Sequence, residues 1–191
     1  MNARLIAWST LALTLAGLAW VASAAASEGP EAKAAARVAR GEYIVSTSGC
    51  IDCHTPVKMG PNGPEPDRDR HLSGHPAQLV MPPAPVLPEG PWIATVGATM
   101  TAWSGPWGTS FTANLTPDPE TGLGRWTEKE FVDTIRTGRH LGRGREVLPP
   151  MPWQVYRDLT DEDLASVFAY LRTIPAIQNR VPEPIPPAAA R

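Results

Sequence analysis

Cysteine is scarce in this chain, with two residues in 191. A zinc site would need two further soft ligands, which the sequence does not supply as a matching pair. Phenylalanine is scarce as well, with three residues against seven tryptophans. Either the tryptophans fill a small core, or a flat apolar cofactor needs large planar neighbours. Charge of one sign is also missing: 17 basic and 19 acidic side chains leave a formal net charge of −2, with no long Lys/Arg run. That balance excludes a basic nucleic-acid-binding surface as the main theme, so partners would be chosen by local patches. The length suits one domain with its own core. What is abundant is proline, with 22 residues, which predicts helices joined by long irregular segments.

Both cysteines fall in Cys50-Ile51-Asp52-Cys53-His54. C-x-x-C-H is the attachment signature of c-type haem. Two thiols one helical turn apart can each form a thioether to a vinyl group on one edge of the porphyrin, and the next residue then falls under the metal. Cys50 and Cys53 are thus the expected attachment points and His54 the proximal iron ligand. A Cys50–Cys53 disulfide would leave His54 unexplained.

Residues 1–26 carry one charged side chain, Arg4, then an apolar run from Leu5 to Val21, then small residues. This is the layout of a secretory signal peptide, with Ala22-Ser23-Ala24 or Ala24-Ala25-Ala26 as the cleavage triplet. The competing reading is an N-terminal anchor, the one case in which the chain would be membrane-bound. Both readings put the folded domain outside the cytoplasm, and the periplasm is the expected location. A C-x-x-C that stays reduced in that oxidising space needs something on its sulfurs, and haem meets the need.

The remainder divides into a domain over residues 27–182 and a proline-rich tail over 183–191. Glu31 to Ser46 reads as a helix with Ala34, Val38, Gly41 and Val45 on one face, and Gly41 implies a close crossing with another helix. Residues 57–113 show almost no periodicity and read as a long Pro/Gly/Trp-rich insert in which Trp92, Trp103 and Trp107 cover apolar surface. His71 and His75 lie there; either is an alternative second axial ligand, although surface or hydrogen-bonding roles are the preferred reading. Thr127 to Glu130 is a capping box opening a helix that carries Phe131 and Ile135 and ends at Gly138. Thr160 to Asp163 opens a last helix with Leu164, Val167, Phe168 and Leu171 on one stripe, stopped by Pro175.

Two further stretches carry chemistry. Arg136, Arg139, Arg143 and Arg145, with His140 among them, form either an anion site, for haem carboxylates or an acidic partner surface, or a solvated loop. In Leu148-Pro149-Pro150-Met151-Pro152-Trp153 three prolines fix the backbone around one methionine. A thioether held in a chosen direction suits an iron ligand, and Met/His ligation raises the reduction potential. Met151 is therefore the expected distal ligand.

The segments GEYIVSTSGCIDCHTP, NLTPDPETGLGRW, LPPMPW and LTDEDLASVFAYLRTIP resemble monohaem class I c-type cytochromes, in particular those serving as electron-accepting partners or subunits of bacterial periplasmic dehydrogenases. The resemblance runs from about Gly41 to Pro182. It implies a compact all-α, cytochrome c-like domain around one covalently bound haem, with the first and last helices crossing near Gly41 and Tyr170. It also implies that Asn114, Thr116 and Trp126 lie near the haem. The expected function is electron transfer from a dehydrogenase donor to a cytochrome or oxidase acceptor, without substrate chemistry of its own. A peroxidase of the usual bacterial c-type kind would carry two attachment motifs, and a ligand sensor would need an open sixth position, against which the LPPMPW loop argues.

Overall fold

The computed structural model describes residues 29–187. The stretch 1–26, expected to be a signal peptide or anchor, lies outside them. The described residues divide into two units between Ala35 and Ala36. The described part of the first is the solvent-exposed start of helix α1 (Pro30–Thr47). Among the described residues no helix is long and apolar enough to cross a membrane.

The second unit holds the rest of α1, then α2 (Cys50–His54), α3 (Glu128–Thr137), α4 (Trp153–Tyr156) and α5 (Asp161–Leu171). The predicted close crossing is present: a Cβ built on Gly41 would lie 1.9 Å from the Ser166 carbonyl oxygen and 2.9 Å from Tyr170 Cβ. Only a residue without a side chain lets α1 approach α5 this closely. Ile44 and Val45, one turn further along α1, are buried in the core cluster. Helix α3 starts with the full capping box: Thr127 Oγ1 accepts from Glu130 N, and Glu130 returns to the Thr127 amide. It stops at Gly138, whose φ of 66° closes the last turn. Phe131 of α3 meets Phe168 of α5 at 5.4 Å between ring centroids. Helix α5 has half a box: Thr160 accepts from Asp163 N, while the Asp163 carboxylate turns to Arg40 of α1 at 2.8 Å.

The fold is not all-α, and this corrects the expectation. The insert folds into two small antiparallel sheets, so the architecture is mixed. Strands β1 (Val57–Gly60) and β2 (Gly63–Pro66) form a hairpin that pairs Gly60 with Gly63. Strands β3 (Thr95–Val96), β4 (Ala102–Gly105) and β5 (Gly108–Phe111) form a three-stranded sheet in that order, with Gly105 opposite Gly108. Each strand is two to four residues long, too short for alternation to stand out from a proline- and glycine-rich background. Trp92 does not cover apolar surface as expected, since it is 77% exposed, whereas Trp103 is partly buried and donates from Nε1 to the Met100 carbonyl. Within the proline-rich tail Ile185 pairs with Thr109 of β5 through reciprocal backbone hydrogen bonds of 2.8 and 2.9 Å.

Candidate haem-binding site

Helix α1 ends at Thr47, Gly49 turns the chain at φ 78°, and the single helical turn of α2 begins with Cys50. Both thiols are free rather than bridged. Burial pushes the Cys50 thiol up to about 11, and burial, then the nearby Asp52 charge, raises Cys53 as well. Both side chains are therefore thiols at neutral pH in the unmodified chain. Among the described residues no three His, Cys, Asp or Glu side chains cluster as a metal site.

His54 closes α2 with 8% of its surface exposed. Its Nδ1 lies 2.8 Å from the Ala113 carbonyl oxygen. A carbonyl only accepts, so Nδ1 carries the proton. Burial lowers the imidazole's pKa and keeps it neutral, which leaves the lone pair on Nε2. A hydrogen bond that fixes tautomer and ring orientation in this way is the usual accompaniment of a metal-ligating histidine. No sequence signal pointed to Ala113, because the contributing atom is backbone.

Cys50, Cys53 and His54 line a cavity of about 1020 Å³, and Met151 lines it too. The core helices supply most of the apolar wall, through Ile44, Phe131, Ile135, Leu164 and Val167 among others. The segment after β5 adds Ala113 to Leu115, and residues 181–184 of the C-terminal segment close another side. Tyr156, which the sequence did not single out, lines the cavity and donates its hydroxyl to the Ser48 carbonyl at 2.5 Å, tying α4 to the end of α1.

Other expected residues are distributed unevenly. Asn114 and Trp126 line the cavity, and Thr116 does not. His71 and His75 are also off its wall. His75 is fully buried, with Nδ1 2.9 Å from Thr101 Oγ1 and Nε2 2.9 Å from the Leu79 carbonyl. That is the hydrogen-bonding role, and it leaves no lone pair for a metal. Met59 is 77% exposed, and neither Met81 nor Met100 reaches the cavity. The arginine cluster is largely paired within the chain: Arg136 with Asp161 at 2.5 Å, Arg139 with Glu146 at 3.0 Å and Arg145 with Glu183 at 3.8 Å. Of that cluster Arg145 and His140 reach the wall, joined there by Arg125 and Arg180.

The donors and the space suit a thioether-linked haem. Two thiols one turn apart, an imidazole with a free Nε2 and a thioether share one apolar cavity at the upper end of the usual ligand-pocket range of about 300–1,000 Å³. Cavities left in cores cost about 24 cal/mol per Å³. An apolar space of this volume in a core is therefore unfavourable to leave empty. A core arranged round such a space is built for an occupant.

No family model matches the chain. The cytochrome c subunit of the alcohol dehydrogenase (quinone) of Gluconobacter oxydans is 28% identical over 78% of this chain and 24% of that protein. The gluconate 2-dehydrogenase cytochrome c subunit of Pantoea cypripedii is 30% identical over 71% of the chain and 22% of that protein. A diheme cytochrome c-type protein of Cereibacter sphaeroides is 28% identical over 76% of the chain and 38% of that protein. The chain thus spans well under half the length of these curated relatives. Over most of its own length, the chain is a homologue of the cytochrome c subunits of bacterial dehydrogenases.

Proposed function

We propose that this chain is a periplasmic one-electron carrier holding a single c-type haem, receiving electrons from a dehydrogenase and delivering them to a downstream cytochrome or oxidase. The haem, when bound, supplies the reversible Fe(III)/Fe(II) couple. The rest of the reading concerns what the chain's own residues do. Cys50 and Cys53 hold the porphyrin edge through thioethers, and the chain has no third cysteine for another attachment. His54 offers Nε2 to the iron while Ala113 retains the proton on Nδ1. Met151 would offer its thioether to the iron as the second protein ligand. The apolar wall excludes water, which lowers the reorganisation needed when the charge changes. Arg180 brings positive charge to the wall for the haem carboxylates, while Arg125 and Arg145 are paired there with Glu120 and Glu183. The observation that carries this reading is the buried, tautomer-fixed imidazole of His54 in the one cavity that both thiols and Met151 also line.

The test uses protein produced with a periplasmic haem-ligation system. Mass spectrometry should find one haem that resists acid-acetone extraction. The oxidised protein should ignore added cyanide on short timescales, whereas Met151→Ala should bind it at once and move to a lower reduction potential, because a thioether favours Fe(II). Immediate cyanide binding by the wild type, or an unchanged Met151→Ala spectrum, would refute the ligand set.

A further inference from the structure

A side-chain hydrogen bond joins the inserted sheet to the methionine loop. Residues 148–152 are poor in backbone donors, since Pro149, Pro150 and Pro152 have no N–H. What holds such a loop is therefore what donates to its carbonyls. Ser110, in the middle of β5 and 7% exposed, places its Oγ 2.5 Å from the Pro149 carbonyl oxygen. The same Oγ lies 3.4 Å from the Trp103 carbonyl across the β4–β5 ladder. A hydroxyl has one proton, and the shorter contact is to Pro149. Pro149 is two residues from Met151.

From this geometry we infer that Ser110 is the positioning residue for the Met151 thioether, acting through the Pro149 carbonyl, and that the three-stranded sheet serves the site by presenting that hydroxyl. The inference rests on the reading of Met151 as distal ligand. The sheet supplies a rigid base: Ser110 is paired with Trp103 in the β4–β5 register, and its neighbour Thr109 is paired with Ile185 on the other edge. A loop whose torsions are restricted by three prolines moves as a unit, so fixing one carbonyl fixes the thioether's aim. Without the bond, the loop samples positions in which the sulfur no longer reaches its mark, and an external ligand competes for the place.

The experiment compares haem-loaded wild type with Ser110→Ala, Ser110→Thr and Ser104→Ala. Ser104 lies in the same sheet and its Oγ accepts from Thr109 Oγ1, so loss of that hydroxyl reports general loosening of the sheet. Imidazole affinity of the oxidised protein, and the thioether-to-iron charge-transfer absorption in the far red, are the readouts. In Ser110→Ala imidazole affinity should rise roughly five- to tenfold, the amount that a buried hydrogen bond of ordinary strength corresponds to, and the far-red band should weaken. Ser110→Thr, which keeps the hydroxyl, should restore both, and Ser104→Ala should change neither. If Met151→Ala alters the band while Ser110→Ala leaves affinity and band at wild-type values, the positioning role is overturned and the ligand reading stands. Equal effects of Ser104→Ala and Ser110→Ala would overturn it too. If Met151→Ala itself leaves the band unchanged, the ligand reading fails, and the inference with it.

Discussion

Gly41→Ala adds one methyl group where α1 crosses α5, and its consequence can be worked from the structure. The new Cβ would stand 1.9 Å from the Ser166 carbonyl oxygen and 2.5 Å from the carbonyl carbon. Carbon–oxygen contacts settle at about 3.3 Å or more, so the helices must part by more than about 1 Å. The obstacle is backbone in the middle of α5, so no side-chain rotation relieves it. Overpacking of this kind costs about 1–3 kcal/mol, and the upper end applies when the blocking group cannot move. Alanine returns about 1 kcal/mol as a better helix former, leaving a net loss of about 2 kcal/mol. For a chain of this size that corresponds to a fall in Tm of about 4–8 °C. The assay is thermal unfolding followed by far-ultraviolet circular dichroism on haem-loaded protein of equal haem content. Adding Tyr170→Ala should not rescue the variant, because the nearest blocking atoms belong to the Ser166 backbone. Ala39→Gly, on the exposed side of the same helix, should lose only the propensity difference of about 1 kcal/mol. A Gly41→Ala protein with wild-type or higher Tm would refute the close-crossing argument.

Thr127→Ala removes the side-chain cap on α3 and leaves the Glu130 amide without its acceptor, while the Glu130 carboxylate keeps the residue-127 amide; urea titration should show a loss of about 1 kcal/mol, with Thr127→Ser close to wild type. His75 gives a pH dependence of definite sign: burial lowers its pKa, whereas the unfolded chain takes up the proton near about 6.5. Its contribution is thus full above that value and is lost as pH falls toward the folded value. The urea midpoint should drop between pH 7.5 and pH 5, and His75→Gln, though less stable at both, should show a smaller drop; identical pH sensitivity in the two proteins would count against it.

The helices were legible because their signals are local. Caps at Thr127 and Thr160 and the stripe from Leu164 to Leu171 act within a turn or two of chain, and the structure keeps them. The all-α expectation failed where pairing partners matter more than composition. Its clues were present in Pro61-Asn62 and Pro106-Trp107, the two-residue turns between facing glycines, and Asn-Gly at 62–63 is a strong short-range hairpin signal. At the cavity, side chains with unusual spacing could be read in advance: Cys50, Cys53, His54 and Met151 all line it. The Ala113 carbonyl, the Ser110 hydroxyl and residues 181–184 could not. Each depends on strands brought together from 30 or more residues away, such as the Ser110–Pro149 contact across 39 positions.

The antiparallel bridge between Thr109 and Ile185 has a dynamic consequence. It consists of two backbone hydrogen bonds near the end of the described chain, and Ile185 is 52% exposed. Such a contact lies at the low end of local opening free energies, far below global unfolding. Residues 181–184 form part of the cavity wall, so release of this segment uncovers the interior while α1, α3 and α5 stay packed. Widening of the cavity at this side therefore needs only fraying of the C-terminal segment, not unfolding of the helices.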